Sequence, residues 1–143
     1  MSELKIIEAV RKFVKTCPHI KKFNEGIGVN FLKEDPISYV IETAPSEPIV
    51  EEFMDGGSDR QYVFNFASRE SYGADIRQNI DSCGFYEAFA DWLEEQTEKG
   101  EFPTLGEKKI PYEIKAITSG YVDDVLPGKA KYVIQCRLLY FKE

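Results

Sequence analysis

Between Gln61 and Leu105 the pattern of apolar and polar positions changes period once. Tyr62, Phe64 and Phe66 alternate with Gln61, Val63 and Asn65, which predicts a strand over Gln61–Ala67. Ile76, Ile80 and Cys83 then fall at i, i+4 and i+7. Phe85, Phe89, Trp92 and Leu93 fall at i, i+4, i+7 and i+8. Both sets predict one apolar face of a helix. Gly84 between them predicts a bend or a break into two helices, the second lying across the sheet to close the core. Glu87, Asp91, Glu94, Glu95 and Glu98 are then expected to face water. Apolar residues at helical spacing are core more often than cofactor contacts, so the whole stretch is read as structural.

The rest of the chain follows the same reasoning. Ser2 is a candidate cap for a first helix, with Glu3 in its first turn and Ile6, Ile7, Val10, Phe13 and Val14 as its apolar face. Pro18 ends it. Gly26–Leu32 is expected to be a short extended piece, and Ser38–Thr43 a strand with Tyr39 and Ile41 on one face. Ile49–Met54 is the next strand, joined by a hairpin loop over Asp55–Asp59 to the strand at Gln61. Ser68–Gly73 is expected to be a polar crossing to the helix. Gly100 suits the end of that helix. Tyr112, Ile114 and Ala116 are predicted to share one strand face. Ser119–Lys129 reads as a long connection. The last strand has the clearest alternation, with Tyr132, Ile134, Cys136, Leu138 and Tyr140 on one face. This order predicts an α+β fold in a single domain over residues 1–143, a mainly antiparallel or mixed β-sheet with helices packed on one face.

Composition narrows the function classes. A chain of 143 residues can bury a real core without staples. A formal net charge of −7 argues against broad binding to nucleic acid or anionic membrane, which needs clustered cations to neutralise phosphates. Passage of DNA through a lumen without gripping it stays compatible with that charge. Cys17, Cys83 and Cys136 are widely separated, with no metal-ligand spacing among them, and suit a reducing cytosol. The first residues, MSELKIIEAVRKFVKTC, have no long apolar run and do not read as a signal peptide, and no segment approaches the ~20 apolar residues of a membrane span.

Candidate chemistry is sparse. Catalysis usually needs a nucleophile, an acid–base group and something to orient them. The single histidine, His19, stands beside Pro18 and reads as a turn residue. Asp123–Asp124 and Glu94–Glu95 are expected to be solvated rather than catalytic. Ser119–Gly120–Tyr121 lacks the strand–elbow–helix setting of a hydrolase serine. The chain is therefore expected not to be an enzyme and to use no cofactor or metal. Ser119–Lys129 carries Tyr121, Val122, Val125 and Leu126, apolar residues without an expected strand or helix of their own. They either fold back over the core edge or dock a partner.

The run FASRESYGADIRQNIDSCGFYEAFADWLEEQ, with the Asp55–Gly56 hairpin before it and SGY and AKYVIQCRLLYF after it, resembles a family of small prophage proteins of Gram-positive bacteria. They are encoded in the virion structural cluster just ahead of the major tail protein and carry minor capsid or minor tail labels. The resemblance runs from Ile6 to the C-terminus. It implies a tail terminator, or tail-completion protein: a ring, expected to hold six subunits, that caps the tail tube and joins it to the head. Its implied partners are further copies of itself, the major tail tube protein and the head–tail connector, with DNA only as passing cargo and no membrane. It implies the virion as location, with assembly in the host cytoplasm. Asp55, Asp59, Tyr121, Val122, Asp123, Asp124, Val125 and Leu126 are the expected partner-interface residues, the carboxylates facing the lumen and the apolar side chains gripping protein.

Two other readings stand beside it. Some members of the family are labelled chloramphenicol resistance proteins, which implies an acyltransferase. That chemistry needs a histidine base in an HHxxxDG-type motif, and His19 in CPHIKKF has no such context. The other reading is a cytosolic adaptor that binds a peptide along a sheet edge.

Overall fold

The computed structural model describes residues 5–20, 27–29, 38–73 and 76–143. Ser2, Glu3 and most of Gly26–Leu32 lie outside them. In chain order the elements are α1 (Ile6–Val14), β1 (Ile27–Val29), β2 (Ser38–Thr43), β3 (Ile49–Glu52), β4 (Ser58–Ser71), α2 (Ile76–Lys99), β5 (Lys109–Ala116), β6 (Tyr121–Leu126) and β7 (Lys129–Lys142). The described strands form one seven-stranded mixed sheet.

The sheet is built on a single long pair. β4 and β7 run antiparallel over fourteen residues each, from Ser58 opposite Lys142 to Ser71 opposite Lys129. On the outer side of β4, β2 covers the Ser71 end and β3 the Ser58 end. On the outer side of β7, β6 covers the Lys129 end and β5 the Lys142 end. β1 joins β2 in parallel, which makes the sheet mixed.

Strand alternation sends one set of side chains to each face. Phe64 and Phe66 of β4, Tyr39 and Ile41 of β2, and Tyr132, Ile134, Cys136, Leu138 and Tyr140 of β7 are all buried on one face, as the alternation predicts. Both helices cover that face. Phe89 of α2 stacks on Phe66 with ring centres 4.6 Å apart. Phe13 of α1 meets Trp92 of α2 at 5.2 Å. The Tyr86 hydroxyl donates to the Tyr132 carbonyl at 3.1 Å, which leaves it to accept from the Ser68 hydroxyl at 2.6 Å. Thr97 clamps α2 to β5: its hydroxyl donates to the Ile114 carbonyl at 2.7 Å and accepts from the Ile114 amide at 3.1 Å.

Four expectations are corrected by the fold. α2 is one continuous helix through Gly84, and its buried line passes through Ser82, Tyr86, Phe89, Leu93 and Gln96. Ile80 and Cys83 lie off that line and are exposed, Ile80 by 62%. Ser68–Ser71 belongs to β4 rather than to a crossing, because Tyr132, Lys131, Ala130 and Lys129 stand ready to pair with it. Tyr112 does not share a face with Ile114, because the register shifts between Pro111 and Glu113 and the bulge turns Tyr112 outward. The α1 terminus is satisfied locally, Glu8 accepting from the Lys5 amide at 3.4 Å.

Two predictions follow from this packing. Trp92→Ala should destabilise the domain by about 3–5 kcal/mol, the range for truncating a large aromatic in a packed core. Thermal or denaturant melting checks it, and an unchanged midpoint would contradict the packing of Trp92 on Phe13 and Phe89. The second concerns alkaline pH. Burial pushes the Tyr86 phenol well up, and pushes up Tyr62, Tyr132, Tyr140, Cys17 and Cys136 as well. In the unfolded chain these groups lose their protons near their ordinary values, about 8.5 for thiols and about 10 for phenols. Their native forms hold protons longer, so stability is full below those values and is lost as pH rises through the folded ones. The melting temperature should therefore fall steeply above roughly pH 9–10, and less steeply in Tyr86→Phe. A flat profile through that range would contradict the burial of these groups.

Candidate functional site

The residues expected to form a partner interface fall into two groups at opposite ends of the β4–β7 pair. The first group surrounds the turn from β3 to β4. Phe53 N–H donates to the Gly57 carbonyl at 2.8 Å, and Gly56 N–H to the Phe53 carbonyl at 3.1 Å. The Asp55 carboxylate accepts from the Gly57 amide at 3.2 Å, closing the turn from within. Gly56 sits at φ 97°, which favours glycine. Any side chain at Gly57 would run into the Phe141 ring, so glycine there lets β7 pack under the turn. Asp59 is not a loop residue: β4 begins at Ser58, and Asp59 is paired with Phe141 and with Glu51. Sequence reading missed the apolar side chains here. Phe53, Ile110 and Tyr112 are exposed, and Met54 at the tip is fully so. Phe53 and Phe141 meet at 6.1 Å, and Ile110 is the register partner of Phe141.

The second group is a strand, not a long connection. Tyr121–Leu126 is β6, paired with β7 and closed by the two-residue turn Pro127–Gly128. Proline followed by a glycine at φ 75° fits a type II turn, and this is the signal in VLPGKA that would have revealed the hairpin. β5 and β6 run along β7 almost without interruption. Between them Ile117 N–H donates to the Gln135 carbonyl at 2.8 Å, and the Thr118 hydroxyl accepts from the Gln135 amide at 3.1 Å. Gly120 then passes so close to α2 that a Cβ would lie 2.5 Å from the Cβ of Tyr86.

Among the described residues β6 pairs with β7 alone, and every residue in it is exposed. Val122 and Val125, opposite Tyr132 and Ala130, lie on the side of the sheet that the helices cover. Tyr121 and Asp124, opposite Val133 and Lys131, lie on the other. Asp123 is the extra residue of a bulge, 3.9 Å from the ammonium of Lys131. So Tyr121, Val122, Val125 and Leu126 are available for contact, while Asp123 has a cation beside it. An edge strand with a free backbone edge is a ready template for a partner.

A second, small buried cluster was not visible in the sequence. No described element lies over the second face of the sheet. Its centre is a small apolar row, Val40, Ala67 and Val133, drawn from three adjacent strands and buried within the chain itself. Charged side chains flank the row on both sides. Lys131 binds both oxygens of Glu42 at 3.2 Å. Glu113 is shared by Arg137 at 3.5 Å and Lys115 at 3.8 Å. Arg69 is only 9% exposed, and its Nε and Nη1 are buried without a hydrogen-bond partner among the described residues. Arg137 Nε and Asn65 Oδ1 on the same face are likewise unsatisfied. A buried polar group left unpaired costs about 1–3 kcal/mol, so four such atoms on one face are a feature to be explained.

The opposite side of the molecule carries the complementary pattern. Glu87, Asp91, Glu94, Glu95 and Glu98 are all exposed, as expected, along the outer side of α2. None of them takes part in a described ion pair. Their i, i+3 and i, i+4 spacings set like charges beside each other, which weakens the helix.

His19 is exposed in the turn after α1. Among the described residues, no three His, Cys, Asp or Glu side chains are grouped to hold a metal ion. No described helix is long and apolar enough to cross a membrane. No family model matches the chain, and no curated protein matches it.

The approach of Gly120 to Tyr86 makes a test of how β6 is anchored. Gly120→Ala should destabilise the domain by roughly 1–3 kcal/mol, as overpacking does, and loosen β6 more than the β4–β7 pair. Hydrogen exchange of the β6 amides together with the melting temperature checks it. A variant as stable and as protected as the parent would show that the close approach constrains nothing.

Proposed function

We propose that the chain is a structural protein of a tailed phage or prophage, a tail terminator that forms a ring, caps the finished tail tube and joins it to the head. The observation that supports this reading best is the placement of the two exposed hairpin ends. The β3–β4 turn and the β6–β7 turn lie at opposite ends of one rigid strand pair. A subunit that joins two assemblies needs a contact at each end and a stiff body between them. Fourteen paired residues supply a body of roughly 45 Å before twist shortens it. The first end offers Phe53, Met54, Ile110 and Tyr112 to a protein partner, and the second offers Tyr121, Val122, Val125 and Leu126. Exposed apolar side chains gathered in this way mark interaction surfaces rather than ordinary solvent-facing positions.

On this reading the chain performs no catalysis and holds no cofactor. The carboxylates suited to line a lumen and repel the DNA backbone are those of α2 rather than Asp55 and Asp123. Asp55 accepts a hydrogen bond within its own turn, and Asp123 lies beside Lys131. The free edge of β6 keeps the peptide-adaptor reading in view, since a peptide can add there as a further strand.

The test uses a prophage that carries the gene. Val122→Ser, Val125→Ser and Leu126→Ser together remove exposed apolar surface and no core, so the protein should fold with its melting temperature within a few degrees of the parent. Electron microscopy of lysates complemented with it should show over-long tails or unjoined heads. Normal tails joined to heads would remove β6 as a docking element. Normal virions after complete deletion of the gene would overturn the terminator reading.

A further inference from the structure

We infer that β6 takes up an extended segment of a partner protein as a further strand, with apolar side chains beside Val122 and Val125 and a lysine or arginine beside Asp124. The inference rests on the reading of the β6 end as a docking element, and adds the bonding and the chemistry of what docks there.

The backbone of β6 is open toward solvent. In an antiparallel pair, residues that bond the neighbouring strand alternate with residues whose amide and carbonyl point away from it. The odd-numbered residues of β7 bond toward the β5 and β6 side. Gln135 shows this, since its carbonyl accepts from the Ile117 amide and its own amide donates to the Thr118 hydroxyl. Val122 and Val125 stand opposite the even-numbered Tyr132 and Ala130, so their N–H and C=O groups point away from β7. Among the described residues, none of Tyr121–Leu126 makes a hydrogen bond outside the β7 ladder. β5 is different. Ile114, opposite Leu138, has both its outward groups taken by the Thr97 hydroxyl of α2. The fold caps one of these two edges and leaves the other open.

Side chains add a groove to that edge. Val122 and Val125 are exposed on the side of the sheet that the helices cover. Gly120 passes against Tyr86, and Ser82 hydrogen-bonds Tyr132, the register partner of Val122. α2 therefore runs beside β6 on that side. A strand paired with β6 would set every second side chain on the two valines, next to the helix.

The charges select the occupant. Asp123 shares Lys131 with Glu42, and Asp124 has no ion pair among the described residues. A second β6 would bring its own two carboxylates to the pair, and β3 would bring Glu51 and Glu52. Like charges facing each other across a strand pair are unfavourable. β1 has no cation, and the lysines of β5 belong to the capped edge, where Pro111 also lacks an N–H. The strand that fits comes from another protein and alternates apolar with cationic residues.

The probe is a short capped peptide of alternating valine and lysine. Hydrogen exchange read by NMR should show the Val122 and Val125 amides protected roughly tenfold or more at saturating peptide, with the β3 amides unchanged. A valine–glutamate peptide should bind roughly tenfold more weakly. Asp124→Lys, its folding confirmed by melting, should reverse that preference. If it fails to fold, Asp124→Asn takes its place and should narrow the preference. Two further valine–lysine peptides carry backbone methyl groups, one on the valine amides and one on the lysine amides. Only one of them should bind, because only one set of amides faces β6 in either strand direction. Unprotected Val122 and Val125, equal binding of the lysine and glutamate peptides, or equal binding of the two methylated peptides would overturn strand addition and leave the terminator reading standing. Normal virions after deletion of the gene, with the peptide still bound at β6, would overturn the terminator reading and keep the strand site.

Discussion

The fourteen-residue antiparallel ladder between β4 and β7 is the constraint on which every other element depends. It fixes which side chains face the helices, because a one-residue slip would send Phe64, Phe66, Ile134, Cys136 and Leu138 to the wrong side together. Four shorter strands then take up its two outer edges in halves. The helices pack where the aromatic side chains of the ladder already point. Tyr86 joins the layers by bonding Ser68 on one central strand and the Tyr132 carbonyl on the other. The ladder also sets the distance between the two hairpin ends, and so the reach of any contact the subunit makes.

How much of this the sequence revealed depended on burial. β7 was legible because its core side chains alternate with less buried ones along its length, broken only at buried Val133. β2 and the buried half of α2 were legible for the same kind of reason. β6 was not, because an edge strand exposed along its whole length has no face to encode. Its Asp123–Asp124 pair and its bulge hid the little alternation there was. Tyr112 was assigned to the wrong face by a single extra residue. Ile80 and Cys83 read as core because they fall at helical spacing, but small polar Ser82 holds the inward position at that turn.

The candidate surfaces were legible only in part. Tyr121, Val122, Val125 and Leu126 were picked out as apolar residues without a core role, and they are exposed in the fold. Asp55, Asp59 and Asp123 were legible as acidic loop positions, but Asp55 closes its own turn, Asp59 lies within β4 and Asp123 sits beside Lys131. Unsatisfied donors on the helix-free face could not be read at all. Arg69, Lys115 and Arg137 come to the same face of the sheet only when strands far apart in the sequence pair. A buried guanidinium without an acceptor is a property of the fold, not of any motif.

The claim at the centre of the account is that one stiff subunit bridges two assemblies, with a different contact at each end of the same ladder. The most direct measurement is cryo-electron microscopy of the head–tail junction in particles from a phage that carries the gene. The account predicts a ring of this fold between tail tube and connector, with the β3–β4 turns toward one and the β6–β7 turns toward the other. A junction without such a ring, or a ring with both sets of turns on the same side, would contradict it.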